Sequence, residues 1–160
     1  MNNSFSAAVT ELESFKTGEP LIITRSGFDE EGYVYSIIAY IHTIDDWTPQ
    51  YTDSVHMRMF LPFTYPINSP NVKVLSKGFF YPNFTADGVW ADGEINENES
   101  IFDYLSRLIL ALQYKDISTT AIGNRNVMGW YNREKGKNIF PTDKINYNHT
   151  MRIQILNRND

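Results

Sequence analysis

The chain has 160 residues, 42% of them hydrophobic and 14% aromatic, which is enough for one domain with a full apolar core and too apolar for a disordered chain. A formal net charge of −5 and a pI near 5.2 disfavour non-specific binding to nucleic acid or to an anionic membrane, both of which need clustered cations. The absence of cysteine excludes disulfides, thiolate metal sites and a thiol nucleophile, no apolar run approaches the roughly 20 residues of a membrane span, and the opening Met1-Asn2-Asn3-Ser4-Phe5 lacks a signal-peptide plan, so the expected location is the cytoplasm.

Residues 4–16 predict a helix. Phe5, Ala8, Val9, Leu12 and Phe15 recur on one face, and Gly18 and Pro20 end it. A first strand runs from Leu21 to about Arg25, and Asp29–Gly32 is a turn. Tyr33–Thr43 is apolar at both parities, as expected of a central strand with little water on either face. Asp45–Asp53 is a polar loop. In Val55–Leu61 the residues Val55, Met57, Met59 and Leu61 face one side, with His56 and Arg58 on the other. Asn71–Leu75 is a short fourth strand, and sequential strands with short turns make an antiparallel meander. Ser100 caps the clearest helix, with Asp103 completing an approximate capping box and Ile101, Leu105, Leu108, Ile109 and Leu112 forming the buried stripe. Asn126–Lys135 is a shorter helix ended by Gly136. In the tail Met151, Ile153 and Ile155 alternate. The order of elements predicts an α+β domain with segregated helices, occupying residues 1–160 as one unit, with the structure of 141–160 left open.

Between the fourth strand and the long helix lies Tyr81-Pro82-Asn83-Phe84-Thr85-Ala86-Asp87-Gly88-Val89-Trp90-Ala91-Asp92, a loop without periodicity whose proline and glycine constrain the backbone path. Such a loop is a better site candidate than the strands around it. Asn83, Thr85, Asp87, Gly88 and Glu94 also match the spacing of a calcium loop, though with a low ligand charge and no helix leading in. His42, His56 and His149 sit on separate elements and carry no ligand motif.

Together with Tyr65-Pro66 and Ser69-Pro70 upstream, this loop resembles the ubiquitin-conjugating enzyme (UBC-like) family across roughly residues 4–140. The family's pattern is tyrosine-proline, then histidine-proline-asparagine, a glycine and the catalytic cysteine. Pro82 and Asn83 match the tripeptide, Tyr81 stands for its histidine, Gly88 matches the glycine, and the cysteine position falls on Ala91. The compact loops and absent helical tail are most similar to prokaryotic members. The resemblance implies an N-terminal helix, a four-stranded antiparallel meander, a structured active-site loop and two helices. It implies an acyl transferase that carries the activated C-terminus of a ubiquitin-like or target protein as a thioester at position 91 and passes it to an amine, in a bacterial, anti-phage type of conjugation system. Asn83 would support the oxyanion; Tyr81, Pro82, Gly88 and Trp90 would shape the loop; Asp87 and Asp92 are candidates for orienting the amine. The implied partners are an activating enzyme, met through Ser4–Lys16, and a ubiquitin-like protein or target C-terminus. Ligases or targets would be met near Phe63 and at Asp116–Asn124. No cofactor, metal, nucleic acid or membrane is implied. A methyl group cannot form a thioester. Three accounts of Ala91 stand: a replaced cysteine, a natural variant that binds a ubiquitin-like protein without conjugating it, or a pattern matched to the wrong residues.

Overall fold

In a computed structural model the chain is described for residues 4–14, 21–44, 50–76 and 81–141. Helix α1 (Phe5–Glu13) opens with Ser4, whose hydroxyl accepts from the Ala7 N–H at 3.1 Å and satisfies one of the orphan donors of the first turn. Ala8 and Leu12 are its buried residues; Phe15 of the predicted stripe lies outside the described residues. Strand β1 (Leu21–Phe28) runs farther than its pattern indicated. The register shifts between Arg25 and Gly27, and this bulge lets the strand continue past the point where alternation fails. Strand β2 (Gly32–Ala39) is shorter than the predicted Tyr33–Thr43. The chain leaves the sheet at Tyr40, and Thr43–Ile44 becomes β3, paired with β4 (Tyr51–Thr52) in a separate two-stranded ribbon. Thr43 is tied there because its hydroxyl donates to the Leu112 carbonyl at 2.5 Å, a contact no local pattern encodes. Strands β5 (Val55–Pro62) and β6 (Asn71–Val74) complete an antiparallel sheet in the order β1-β2-β5-β6.

The alternation sets the two faces of this sheet. Ile23, Tyr35, Ile37, Met57, Met59, Val72 and Val74 are buried, and α2 (Ile101–Leu112) supplies Leu105, Leu108, Ile109 and Leu112 to the same core. Each fully buried aliphatic of this kind contributes about 1.5–3 kcal/mol. The α2 prediction holds to the residue: the Ser100 hydroxyl accepts from the Asp103 N–H at 3.1 Å. Helix α3 (Arg125–Glu134) is capped by Asn124, whose side-chain oxygen accepts from Asn126 and Val127. Among the described residues no helix is long and apolar enough to cross a membrane.

A polar contact joins α1 to α2. The Glu11 carboxylate accepts from the Phe102 N–H at 3.0 Å, so α1 helps to cap α2. Burial raises the Glu11 carboxyl above its ordinary 4.5, more than that bond lowers it, and Asp103 raises it further. A raised folded-state value means the group favours folding in its protonated form. Its contribution is complete below the ordinary value and is lost as pH rises through the raised one. Glu11→Gln keeps an acceptor without the charge. The variant is expected to gain stability over the parent between acid and neutral pH, read as diverging melting temperatures. Parallel pH curves would show that the carboxylate is not penalised.

Candidate functional site

The segment 83–91 is a tight hairpin. Ala91 N–H donates to the Asn83 carbonyl at 2.8 Å, Thr85 N–H to Val89 at 2.8 Å, and Gly88 N–H to Thr85 at 2.9 Å. These bonds describe a turn closed by a residue in the left-handed region. Gly88 fills that place with φ 88°, a conformation a side chain would strain. The outgoing arm seals the sheet edge, because Val74 N–H donates to Gly88 and Trp90 N–H to Val72. Ala91 follows at the corner of a turn in which Gly93 N–H reaches the Trp90 carbonyl at 3.3 Å, and its methyl is exposed. Asp87 is exposed at the hairpin tip.

Asn83 is buried and points inward, not toward Ala91's outer surface. Its amide donates to the carbonyls of Ser118 at 2.8 Å and Ala121 at 2.9 Å, while its oxygen accepts from the Ser118 N–H at 2.9 Å. Both amide hydrogens are thereby committed to the 116–124 loop, and supporting an oxyanion would require one of these bonds to be released. The same bonds take the first oxygen of the calcium-like spacing, and among the described residues no group of three or more His, Asp or Glu side chains could hold a metal ion. Pro82 continues the clamp, its carbonyl accepting from Gly123 and Asn124. Gly123 is required by close approach: a Cβ there would strike the Phe84 carbonyl carbon, with the Phe84 oxygen at 2.6 Å and the Thr85 nitrogen at 2.7 Å. Tyr81 is buried beside Phe84 and Tyr114.

The residues after Ala91 are held from α2 by Arg107, which the loop motif does not include. Its guanidinium donates to both Glu99 carboxylate oxygens (2.9 and 3.1 Å), to the Asp92 carbonyl (2.6 Å) and to the Glu94 carbonyl (3.0 Å), and pairs with the Asp92 carboxylate at 3.2 Å. It also lies 4.8 Å from the centre of the Trp90 ring. Burial opposes its charge, but the hydrogen bonds and charge of Glu99, with Asp92, outweigh burial and hold the group above its ordinary range. Asp92 thus shares the Arg107 guanidinium with Glu99, whereas Asp87 makes no ion pair among the described residues. Trp90 is buried between Phe84 and Tyr104, and Tyr104 donates to the Gly93 carbonyl at 2.7 Å. One sequence signal points to Arg107: it is the single cation in the largely apolar α2, four residues after Asp103. His42 and His56 are not brought together; they bond Asp53 and Ser36 respectively.

No family model matches the sequence, and no curated protein matches it. Among solved structures, S. cerevisiae Ubc12 is similar, with a TM-score of 0.51 and 20% identity over 78% of this chain and 68% of that one.

Proposed function

On a UBC-like fold with an exposed alanine at position 91, we propose that this chain receives the C-terminal end of a ubiquitin-like or target protein beside the 83–91 hairpin and the 116–124 loop, and holds it without a covalent bond. One observation carries this reading. The two residues that match the family's chemistry have none to offer here: Ala91 presents a methyl group, and the Asn83 amide is spent on Ser118 and Ala121. Residues 1–160 act in this proposal as one domain that takes its cargo from an activating enzyme docked on α1, within a bacterial, anti-phage type of system.

A second reading has its own support. Ala91 sits at an exposed turn corner braced from α2, where a thiolate would be reachable and well positioned. With cysteine in place of Ala91 the chain would accept an acyl group there. Asn83, released from one loop carbonyl, would steady the oxyanion, and Asp87 would meet the incoming amine.

The variant Ala91→Cys separates the two. It is expressed with its genomic neighbours, isolated without reductant and weighed intact before and after thiol treatment. A thiol-sensitive gain of the size of a small protein supports the conjugating reading. A variant whose new thiol stays unmodified, with the fold intact and the neighbours confirmed to be expressed, supports the non-covalent one.

A further inference from the structure

A serine and a histidine on the two central strands meet within bonding distance. His56 Nε2 lies 3.0 Å from Ser36 Oγ, across the gap between β5 and β2. The two sit diagonally, since Ser36 is opposite Arg58 and Ile38 is opposite His56. Each strand is paired on both sides, which fixes the backbone under both side chains. The His56 N–H also donates to Ser76 Oγ at 2.8 Å, and its carbonyl accepts from the Leu75 N–H at 2.8 Å. A hydroxyl and an imidazole held together on a rigid frame, with the ring proton on Nδ1, form a nucleophile and its base. Ser36 is partly exposed and His56 is exposed, so a small molecule can reach the oxygen.

The surrounding charge selects the kind of molecule. The register sets Thr24, Ser36, Arg58 and Lys73 in one row, with Arg58 directly opposite Lys73. Neither cation makes an ion pair among the described residues, and like charges so placed repel. The strand positions that share this face bear no carboxylate, in a chain whose net charge is −5. Two cations beside a nucleophilic oxygen suit a donor whose leaving group is a phosphate. We infer that Ser36 accepts the acyl group of a small acyl phosphate. Ser36 Oγ bonds to the acyl carbon, and the bond from that carbon to the phosphate oxygen breaks. The hydroxyl proton passes to His56 Nε2, and inorganic phosphate leaves with the electron pair over Arg58 and Lys73. The product is an acyl ester on Ser36. Transfer of the phosphoryl group is the other course open to such a donor. Divalent cations assist that course, and the strand positions of this face offer no carboxylate to hold one. Thr24 is an internal control: a hydroxyl in the same row, one strand farther from His56. The inference is independent of what occupies position 91.

The test incubates the full chain with acetyl phosphate, weighs it intact and maps the modified residue. One acetyl group is expected on Ser36, removed by hydroxylamine as an ester is and an amide is not. His56→Gln should slow its formation about a hundredfold. The double variant Arg58→Gln, Lys73→Gln should slow it about tenfold with acetyl phosphate and leave the rate with neutral p-nitrophenyl acetate unchanged. Melting curves confirm that the variants are folded, and the mapping on the parent chain stands whether or not they are. A hydroxylamine-stable acetyl on Lys73 or another lysine, acetylation of Thr24 as fast as Ser36, a phosphoryl group on Ser36, a rate unchanged in folded His56→Gln, or no modification would each overturn the proposal.

Discussion

Replacing Arg107 with methionine is expected to lower the unfolding free energy by about 3 kcal/mol, the range for removing one partner of a largely buried ion pair. Methionine keeps the helix propensity of α2 and can cover the Trp90 ring, so the loss isolates the donors. Two carboxylates and two carbonyls lose their common partner at once. Glu99, with a side chain only 11% exposed, bears most of the cost, while Asp92 at 38% regains water. Urea denaturation gives the magnitude. Hydrogen exchange gives the location: the amides of Gly93 and Ile95 should exchange about tenfold faster, beyond what the global loss explains, while β2 and β5 follow the global value. Arg107→Lys should fall between, since an ammonium keeps the charge but not the planar fork. A loss under about 1 kcal/mol would place the network with ordinary surface ion pairs.

Asn83→Ala is expected to cost about 2 kcal/mol, as three backbone groups of the 116–124 loop lose a buried partner and water reaches the partly buried Ser118 and Ala121 only in part. Asn83→Asp should be worse at neutral pH. It keeps the acceptor for the Ser118 N–H but turns a charged oxygen toward two carbonyls. That environment favours the protonated acid, so the deficit should shrink as pH falls and the carboxyl regains a hydrogen to donate. Melting curves at acid and neutral pH check the sign. An aspartate variant as stable as the parent at pH 7 would mean that the clamp between the 83–91 hairpin and the 116–124 loop is held by Gly123 and the Pro82 carbonyl without the amide.

The elements with strong local patterns were legible in the sequence. The apolar stripe and Ser100 cap of α2, the alternation of Val55–Leu61 and the short strand at Asn71 all appear where their residues require, because helix and strand periods are properties of neighbouring residues. Strand ends were less legible. β1 continues through a bulge and β2 stops at Ala39, both outcomes of pairing with a partner strand. At the candidate site, Gly88 was readable as a turn glycine. The fate of Asn83 was not, since its partners Ser118 and Ala121 lie far along the chain, and turn chemistry and loop clamping use the same residue type.

By itself the sequence determined the α+β order of elements, the apolar faces that close the core, and the absence of any thiol at position 91; these follow from composition and from interactions within a few residues. Only the tertiary structure decided that Arg107 braces the segment after Ala91, that Gly123 lies on the Phe84 backbone, and that Arg58 faces Lys73 in a chain without a basic run. The reason is geometric. Register and loop packing bring together residues distant in sequence, and a charge acquires its partner, or goes without one, only when the sheet and its loops have closed.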